Sequence, residues 1–308
     1  MAFLYDKVFF GDKLVEQSKA KLSIATSAIL YGLSVYTVFP VHVGKDGKLV
    51  IFRLVDHYRR LLNSAKIIGI DTFEPNWNLE NFTLAMINLI KTNKVKEDVF
   101  VRASIHVSEV LPGTRSRGMG TTFSAFIYKA EPILPLSGAR LKTSVWHRIP
   151  DFAIPSRAKV NGAYVNSVLA KQDAIDSGYD DCIFLDTSGH VCELSAGNIF
   201  LVRDGKLITP AMSNDILEGI NRDTIIQIAK DLGLEVIERE VDLTELYIAD
   251  EVFACGTSTY LVPILEVDAR KINGSKIGPI TSKISNVYIH VLKGEDKKYL
   301  RYNQIINN

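Results

Sequence analysis

IPSRAKVNGAYVNS, residues 154–167, is the stretch on which the fold turns. Lys159 stands at a strand end punctuated by Pro155, and a helix follows that opens with Asn161, Gly162 and Ala163 and carries Tyr164. Alone, such a lysine reads as a solvated surface residue. Its company changes the reading. CELSAGNIF (192–200) sets Glu193 in a strand among apolar neighbours, where a carboxylate needs a cationic or donor partner. LEGINRD (217–223) starts a helix, and a helix N-terminus with small residues offers N–H groups to an anion. Gly256, Thr257 and Ser258 close the series in a turn. An amine, a phenol, a carboxylate and two sets of backbone donors suit nucleophilic and acid–base chemistry on an anionic carbonyl compound.

The series, in this order and spacing, resembles the class IV pyridoxal-phosphate aminotransferases, most closely the branched-chain amino acid aminotransferases. The likeness covers nearly the whole chain: KLSIATSAILYG (21–32), FRLVDHYRRLLNSAK (52–66), SVWHRIPDFAIPSRAKVNGAYVNS (144–167), CELSAGNIF, LEGINRD and YIADEVFACGTSTYLVPI (247–264). It implies an α/β (α+β) chain of two domains, fold type IV, with pyridoxal 5'-phosphate between them. On the same resemblance, Lys159 forms the Schiff base and shuttles the proton. Tyr164 hydrogen-bonds the cofactor's phenolate oxygen, and Glu193 pairs with its pyridinium nitrogen. Arg60 binds the phosphate, although adjacent Arg59 leaves that choice open. Leu217, Gly219, Ile220 and Asn221 make a second phosphate cradle, which Gly256 and Thr257 complete.

The chain also departs from the family. The usual Gly-Ser-Gly-Glu-Asn after the strand carboxylate is here Leu194-Ser195-Ala196-Gly197-Asn198, and Asn221 stands where Thr is usual. The family's YGxxVFEGIRxY is here YGLSVYTVFPVHV (31–43), so Glu-Gly-Ile-Arg has become Thr37-Val38-Phe39-Pro40. That segment lines the family's substrate pocket and is more apolar here. Tyr36 and Val38 are closer to (R)-selective amine transaminases, whereas Arg102, Trp146 and Arg148 match the branched-chain pattern. Tyr31, Tyr36, Val38, Pro40, Arg102 and Ser258 are the expected substrate contacts. LPGTRSRGMG (111–120) adds Arg115 and Arg117 among glycines. Either arginine could bind an acceptor carboxylate and swing away for an apolar side chain, or the loop is a solvated tip.

At 308 residues, with hydrophobic content of 47% and charged content of 23%, the composition is that of a soluble globular protein of two domains. A net charge of +1 offers no field for nucleic acid or an anionic membrane. No apolar run reaches the roughly 18 residues of a membrane span. MAFLYDKVFFGDK (1–13) interrupts its apolar residues with charge, unlike a signal peptide, and a cytoplasmic place is expected. Cys182, Cys192 and Cys255 sit in apolar, strand-like segments, as buried reduced thiols do. The six histidines show no ligand spacing, so no metal is expected.

The expected division is a small α+β domain at 1–130, a linker at 131–140 (EPILPLSGAR) and a large cofactor-binding domain at 141–308. Strands are expected within 5–16 as a hairpin, and at 48–54, 99–107 and 122–130. Further strands are expected at LKTSVW, DCIFLDT, EVFACGT and a hairpin about Asp204-Gly205. Helices are expected at 55–67, 78–93, 162–177 and 221–232. The C-terminal LKGEDKKYLRYNQIINN reads as a solvated tail able to dock loosely. The resemblance implies transamination of leucine, isoleucine or valine with 2-oxoglutarate in two half-reactions. Alternatives are an (R)-amine or D-amino acid transaminase, and an aminodeoxychorismate-lyase-like enzyme. It also implies a homodimer or higher homo-oligomer, with Tyr31 and residues near 107–113 contributing to the partner's pocket.

Overall fold

A computed structural model describes residues 4–306. Residues 1–3 and 307–308, the first of the N-terminal stretch and the last of the C-terminal tail considered above, lie outside the described residues. The chain divides into two compact units. One comprises Met1–Ala130, Ala158–Ala163 and Val291–Asn308, and the other Glu131–Arg157 and Tyr164–His290. This differs from a division at 1–130, 131–140 and 141–308. The segment 131–140 groups with the second unit, and two later pieces of chain return to the first. The reason is hydrogen bonding: each returning piece pairs with a strand of the first unit.

The first unit contains β1 (Lys7–Phe10), β2 (Lys13–Glu16), β3 (Ser34–Val43), β4 (Leu49–Phe52), β5 (Val99–Val107) and β6 (Thr121–Lys129). Its helices are α1 (Ser27–Leu30), α2 (Leu54–Ile67) and α3 (Leu79–Thr92). Its seven-stranded sheet is antiparallel throughout, in the order C-terminal strand (Asn303–Ile306), β4, β3, β5, β6, β1, β2. Strand alternation sends Val99, Val101, Ala103, Ile105 and Val107 to one face. There they join Val35, Phe39 and Val41 of β3 and Phe123, Ala125 and Ile127 of β6 in a core with α2 and α3. Leu54, Tyr58, Leu61 and Ala65 recur at helical spacing and seat α2 on that core. Asn78 caps α3, its side chain accepting from the Asn81 N–H at 2.8 Å.

Two expectations are corrected here. Residues 303–306 are not a solvated tail, because they pair with β4 from Asn303↔Phe52 to Ile306↔Leu49, and Ile306 is buried. The pairing covers a β4 edge that would otherwise be open. Residues 34–43, given no element above, form a ten-residue strand. Pro40 has no N–H to give a ladder, but β4 begins to pair with β3 only at Val41.

The second unit contains β7 (Ala139–Thr143), α4 (Tyr164–Asp176), β8 (Asp181–Leu185), β9 (Val191–Leu194), β10 (Asn198–Arg203), β11 (Lys206–Pro210) and α5 (Ile220–Asp231). After these come β12 (Val236–Arg239), α6 (Leu243–Tyr247), β13 (Glu251–Gly256), β14 (Tyr260–Val267), β15 (Arg270–Lys271) and α7 (Pro279–Leu292), whose last two residues group with the first unit. α4 begins at Tyr164, not at 162, because residues 161–162 are hydrogen-bonded alongside β3. The strand order is β12, β11, β10, β13, β14, β7, β8, β9, and β9 pairs back onto β10. Six strands thereby close into a ring around Leu141, Ile183, Leu194, Ile199, Ala254 and Val262. The β10–β11 hairpin turns at Asp204 and Gly205, both at positive φ (51° and 73°), as a tight two-residue connection requires. All three cysteines are free and buried, and burial pushes the Cys255 thiol up to about 12. Among the described residues no helix is long and apolar enough to cross a membrane.

His57, on the first turns of α2, is fully buried, with Nδ1 2.8 Å from Thr37 Oγ1. Burial holds its pKa well below the usual histidine range, and the charges of Arg60, Arg53 and Lys159 add to the effect. Below about pH 6.5 the unfolded chain therefore takes up a proton that the folded chain refuses. Stability from this source is complete above that pH and declines as the pH falls, by at most about 1.4 kcal/mol per unit. Urea unfolding at pH 7.5, 6 and 5 should show the decline, and His57→Gln should make it shallower. A His57→Gln profile parallel to wild type would remove His57 as its source.

Candidate active site

In the first unit, residues 159–162 run beside β3, tied at successive points. The Lys159 N–H donates to Ser64 Oγ on α2 at 3.0 Å, and the Tyr36 N–H donates to Lys159 O at 3.0 Å. Val160 forms a bridge with Val35, and the Asn161 N–H donates to Ser34 O at 2.9 Å. The Gly162 N–H reaches Gly32 O at 3.3 Å. Gly32 adopts φ +64°, and a Cβ there would stand 2.7 Å from Gly162 Cα, so only glycine permits this approach. Ser64 also donates to Arg60 O at 2.8 Å, which fastens the tie to the helix itself. Lys159 is half-buried, with Nζ 4.9 Å from the centroid of the Tyr36 ring.

The cross-strand register groups the residues around it. Ser34 lies opposite His106, Tyr36 opposite Ser104, Val38 opposite Arg102 and Pro40 opposite Phe100. These share one face of the sheet, while Thr37 and Phe39 point to the other, into the α2 side. Of residues 37–40, only Val38 and Pro40 share the face of Tyr36. The Arg102 guanidinium lies 3.6 Å from the Tyr36 centroid and donates to Asn161 Oδ1 at 2.5 Å. His106 contacts Ser124 Oγ through Nε2 at 2.8 Å. Burial, helped by Arg102, lowers the His106 pKa to about 4, so this face carries a neutral imidazole.

On the opposite face Arg59 and Arg60 are displayed differently. Arg59 is exposed, 3.8 Å from Asp56. Arg60 is half-buried and donates through Nη2 to Thr37 Oγ1 at 3.4 Å. The remaining first-unit candidates are displayed differently. Tyr31 is half exposed at the end of α1. Arg115 and Arg117 are exposed on a loop held by Gly118 N–H on Asp71 (2.9 Å) and Gly120 N–H on Glu109 (3.0 Å).

In the second unit, Glu193 is buried on β9 at the point where the ring of strands closes, paired with Asn198. Its carboxylate forms an ion pair with Arg148 Nη2 at 2.9 Å and accepts from Asn198 Nδ2 at 3.1 Å and from the Leu217 N–H at 3.2 Å. Asn198 Nδ2 also donates to Leu217 O at 3.1 Å. A Cβ on Gly219, the N-cap of α5, would overlap Asn198 Oδ1, so bare backbone is required there. On α5, the Asn221 side chain is held at both ends: Nδ2 donates to Thr257 Oγ1 at 3.2 Å, and Oδ1 accepts from Tyr288 at 2.5 Å. Burial keeps the Tyr288 phenol well above its ordinary pKa, so it remains a donor. A Cβ on Gly256 would come within 3.1 Å of Ala196 O. Ser258 accepts from the Ile133 N–H through its carbonyl at 3.0 Å, and Tyr164 is half-buried at the start of α4.

Sequence reasoning misses four participants. It places Asn161 in a helix, though the backbone there, beside Lys159, is hydrogen-bonded and strand-like. It takes Arg148 only as a family match, although Glu193 calls for a cationic partner. It takes Asn198 only as a departure from the family turn. Tyr288 lies on α7, a helix that the sequence reading does not assign.

The amino-transferase class IV family profile matches residues 34–267. A "Probable branched-chain-amino-acid aminotransferase" of Aquifex aeolicus is 36% identical over 304 residues, 98% of this chain and 97% of that protein. The crystal structure of the branched-chain aminotransferase from Thermoproteus uzoniensis with norvaline superposes with a TM-score of 0.94 at 35% identity, covering 98% of this chain and 100% of that one. The branched-chain amino acid aminotransferase from Thermobaculum terrenum, in its PLP form, gives 0.91 at 30% identity, over 99% of each chain. These matches fix the family: the chain belongs to the class IV aminotransferases.

Proposed function

We propose that the protein is a pyridoxal-phosphate-dependent branched-chain amino acid aminotransferase, passing the amino group of leucine, isoleucine or valine to 2-oxoglutarate in two ping-pong half-reactions. The observation that carries this reading is the pinning of the Lys159 backbone between Ser64 and Tyr36, with Nζ over the Tyr36 ring. An amine on an anchored main chain meets its partner in one geometry. The donor set fits the cofactor. Gly219 and Gly256 bring bare backbone, the opening of α5 supplies the N–H groups of a first helical turn, and Asn221 is fixed by Thr257 and Tyr288. Glu193, set in place by Arg148, Asn198 and the Leu217 N–H, is a fixed acceptor of the kind a ring N–H needs.

When bound, pyridoxal phosphate supplies an aldehyde and an electron-withdrawing ring. Lys159 would hold the aldehyde carbon and, once released, carry a proton between the substrate α-carbon and that former aldehyde carbon. Arg60, Leu217, Gly219, Ile220, Asn221, Gly256 and Thr257 would hold the phosphate. Glu193, paired with Arg148, would accept from the ring nitrogen, and Tyr164 would donate to the ring oxygen. Tyr36, Val38 and Pro40 would meet the donor side chain, with Tyr31 and Ser258 at the substrate's edge. Arg102 would bind the second carboxylate of the acidic substrate, with Arg115 and Arg117 as further candidates.

Lys159→Ala should leave apoprotein that no longer turns yellow with cofactor and should lower turnover by several orders of magnitude. Near-wild-type turnover would sink the central assignment.

The apolar residues on two joined segments support the reading of a homodimer or larger homo-oligomer. The Leu111 N–H donates to Ala25 O at 3.1 Å, and Ile29, Leu30, Tyr31, Val110 and Leu111 are all exposed. Light scattering at micromolar concentration should find the active species at twice the chain mass or more. An active monomer would refute this.

Arg102→Ala, Arg115→Ala and Arg117→Ala should separate glutamate from leucine. A charge-assisted contact is worth roughly 1.5–3 kcal/mol, or about ten- to hundredfold in kcat/KM, so at least one variant should lose glutamate by that factor relative to leucine. Equal effects on both donors in all three would overturn the account of acidic-substrate recognition. Val38 and Pro40, where the family has glycine and arginine, should broaden the donor range. (R)-1-phenylethylamine turned over faster than L-leucine would instead favour an (R)-amine transaminase.

A further inference from the structure

Asn161 is held more tightly than a loop asparagine needs to be. Its Nδ2 donates to Ser34 Oγ at 2.6 Å, and its backbone N–H donates to Ser34 O at 2.9 Å. Ser34 thus grips both the main chain and the amide. The other end, Oδ1, accepts from Arg102 Nη2 at 2.5 Å. The orientation of the amide is fixed chemically, because a guanidinium has donors only and must face the oxygen.

Arg102 is restrained from a second side. Its register partner on β3 is Val38, yet its guanidinium lies over the ring of Tyr36, two residues along the strand. The side chain therefore leans diagonally across the sheet. With the Tyr36 face on one side and Asn161 Oδ1 in hydrogen-bond reach, few rotamers remain. An arginine left free must be ordered each time it binds a carboxylate, whereas one already clamped presents the same edge at every turnover.

We infer that Asn161 is the specificity-determining positioning residue for acidic substrates. It locks the Arg102 guanidinium against Tyr36, so that the remaining N–H edge is preset for the second carboxylate of a dicarboxylic amino donor or keto acceptor. This rests on the reading of Arg102 as the group that binds that carboxylate. Branched-chain substrates have no such carboxylate and draw nothing from the clamp. Asn161 is also two residues from Lys159, so a purely structural disturbance would impair every substrate alike.

The test compares Asn161→Ala, Asn161→Asp, Arg102→Ala and the Asn161→Ala/Arg102→Ala double variant, as holoenzymes, with glutamate and leucine as donors. Glutarate and 4-methylpentanoate serve as unreactive competitors. Asn161→Ala should lower the glutamate-to-leucine ratio of kcat/KM about tenfold, chiefly through KM for glutamate. It should weaken glutarate inhibition relative to 4-methylpentanoate by a similar factor. Asn161→Asp sets a carboxylate on the guanidinium and should lower the ratio further. The double variant should be no more selective than Arg102→Ala alone, since the asparagine acts only through the arginine. If Arg102→Ala shifts the ratio and Asn161→Ala leaves it unchanged, the inference fails while the reading of Arg102 stands. If Arg102→Ala itself is unselective, both fall. Should Asn161→Ala not fold, Asn161→Ser removes the amide donor and shortens the acceptor; an unchanged ratio there overturns the inference equally.

Discussion

The backbone of residues 159–162 is hydrogen-bonded to β3, and this constraint organises the first unit. Lys159 gives its N–H to Ser64 and receives the Tyr36 N–H at its carbonyl. Asn161 and Gly162 continue the pairing onto Ser34 and Gly32. A side chain on a free loop would have to be ordered whenever it met a partner, at the entropic cost of its own main chain. Here that order is part of folding. Ser64 extends it by tying Lys159 to α2, the helix that also carries His57 and Arg60, so the Lys159 backbone and Arg60 are set by one rigid element. The close contact of Gly32 with Gly162 follows from the same pairing, since any side chain on Gly32 would force the segment off the sheet.

The second unit solves a similar problem by closing its sheet. Glu193 and Asn198 are the one residue pair through which β9 meets β10, and their side chains hydrogen-bond to each other beside that junction. A buried carboxylate is expensive unless paired and fully hydrogen-bonded. Arg148 supplies the charge, and Asn198 and the Leu217 N–H supply the geometry. Asn198 in turn excludes any side chain at Gly219, which sets bare backbone at the N-cap of α5. One asparagine therefore couples the orientation of the carboxylate to the shape of the helix start.

Much of this is legible in sequence because it is carried by short-range signals. The hairpin at Asp204-Gly205, the alternation of 99–107 and the helical spacing of α2 state their structures within a few residues. Lys159, Tyr164 and Glu193 are legible only as an ordered series, since each alone is an ordinary residue. What is not legible depends on long-range pairing. β3 is buried on both faces and contains Pro40, so it shows no alternation and includes a residue that argues against a strand. The polar run before residue 303 hides a four-residue strand whose partner, β4, lies far earlier in the chain. Arg148 and Tyr288 are separated from the residues they serve by 45 and 67 positions, and no local pattern links them.

The division of β3 by its two faces changes the meaning of its departures from the family. Read as a string, 37–40 is one apolar replacement. Folded, it is two interleaved sets. Val38 and Pro40 share the face of Tyr36 and Arg102. Thr37 faces α2, between the imidazole of His57 and the guanidinium of Arg60. A carboxylate at 37 would carry a charge into a fully buried position beside those groups, whereas a hydroxyl can accept from Arg60 and engage the neutral His57 without one. Phe39 fills space against His57, with ring centroids 5.8 Å apart. The substitutions at 37 and 39 therefore read as one adjustment of the helix side, in which a neutral buried histidine and a hydroxyl steady Arg60. Those at 38 and 40 read as a separate adjustment of the opposite face, and the period of two along the strand lets one segment change both independently.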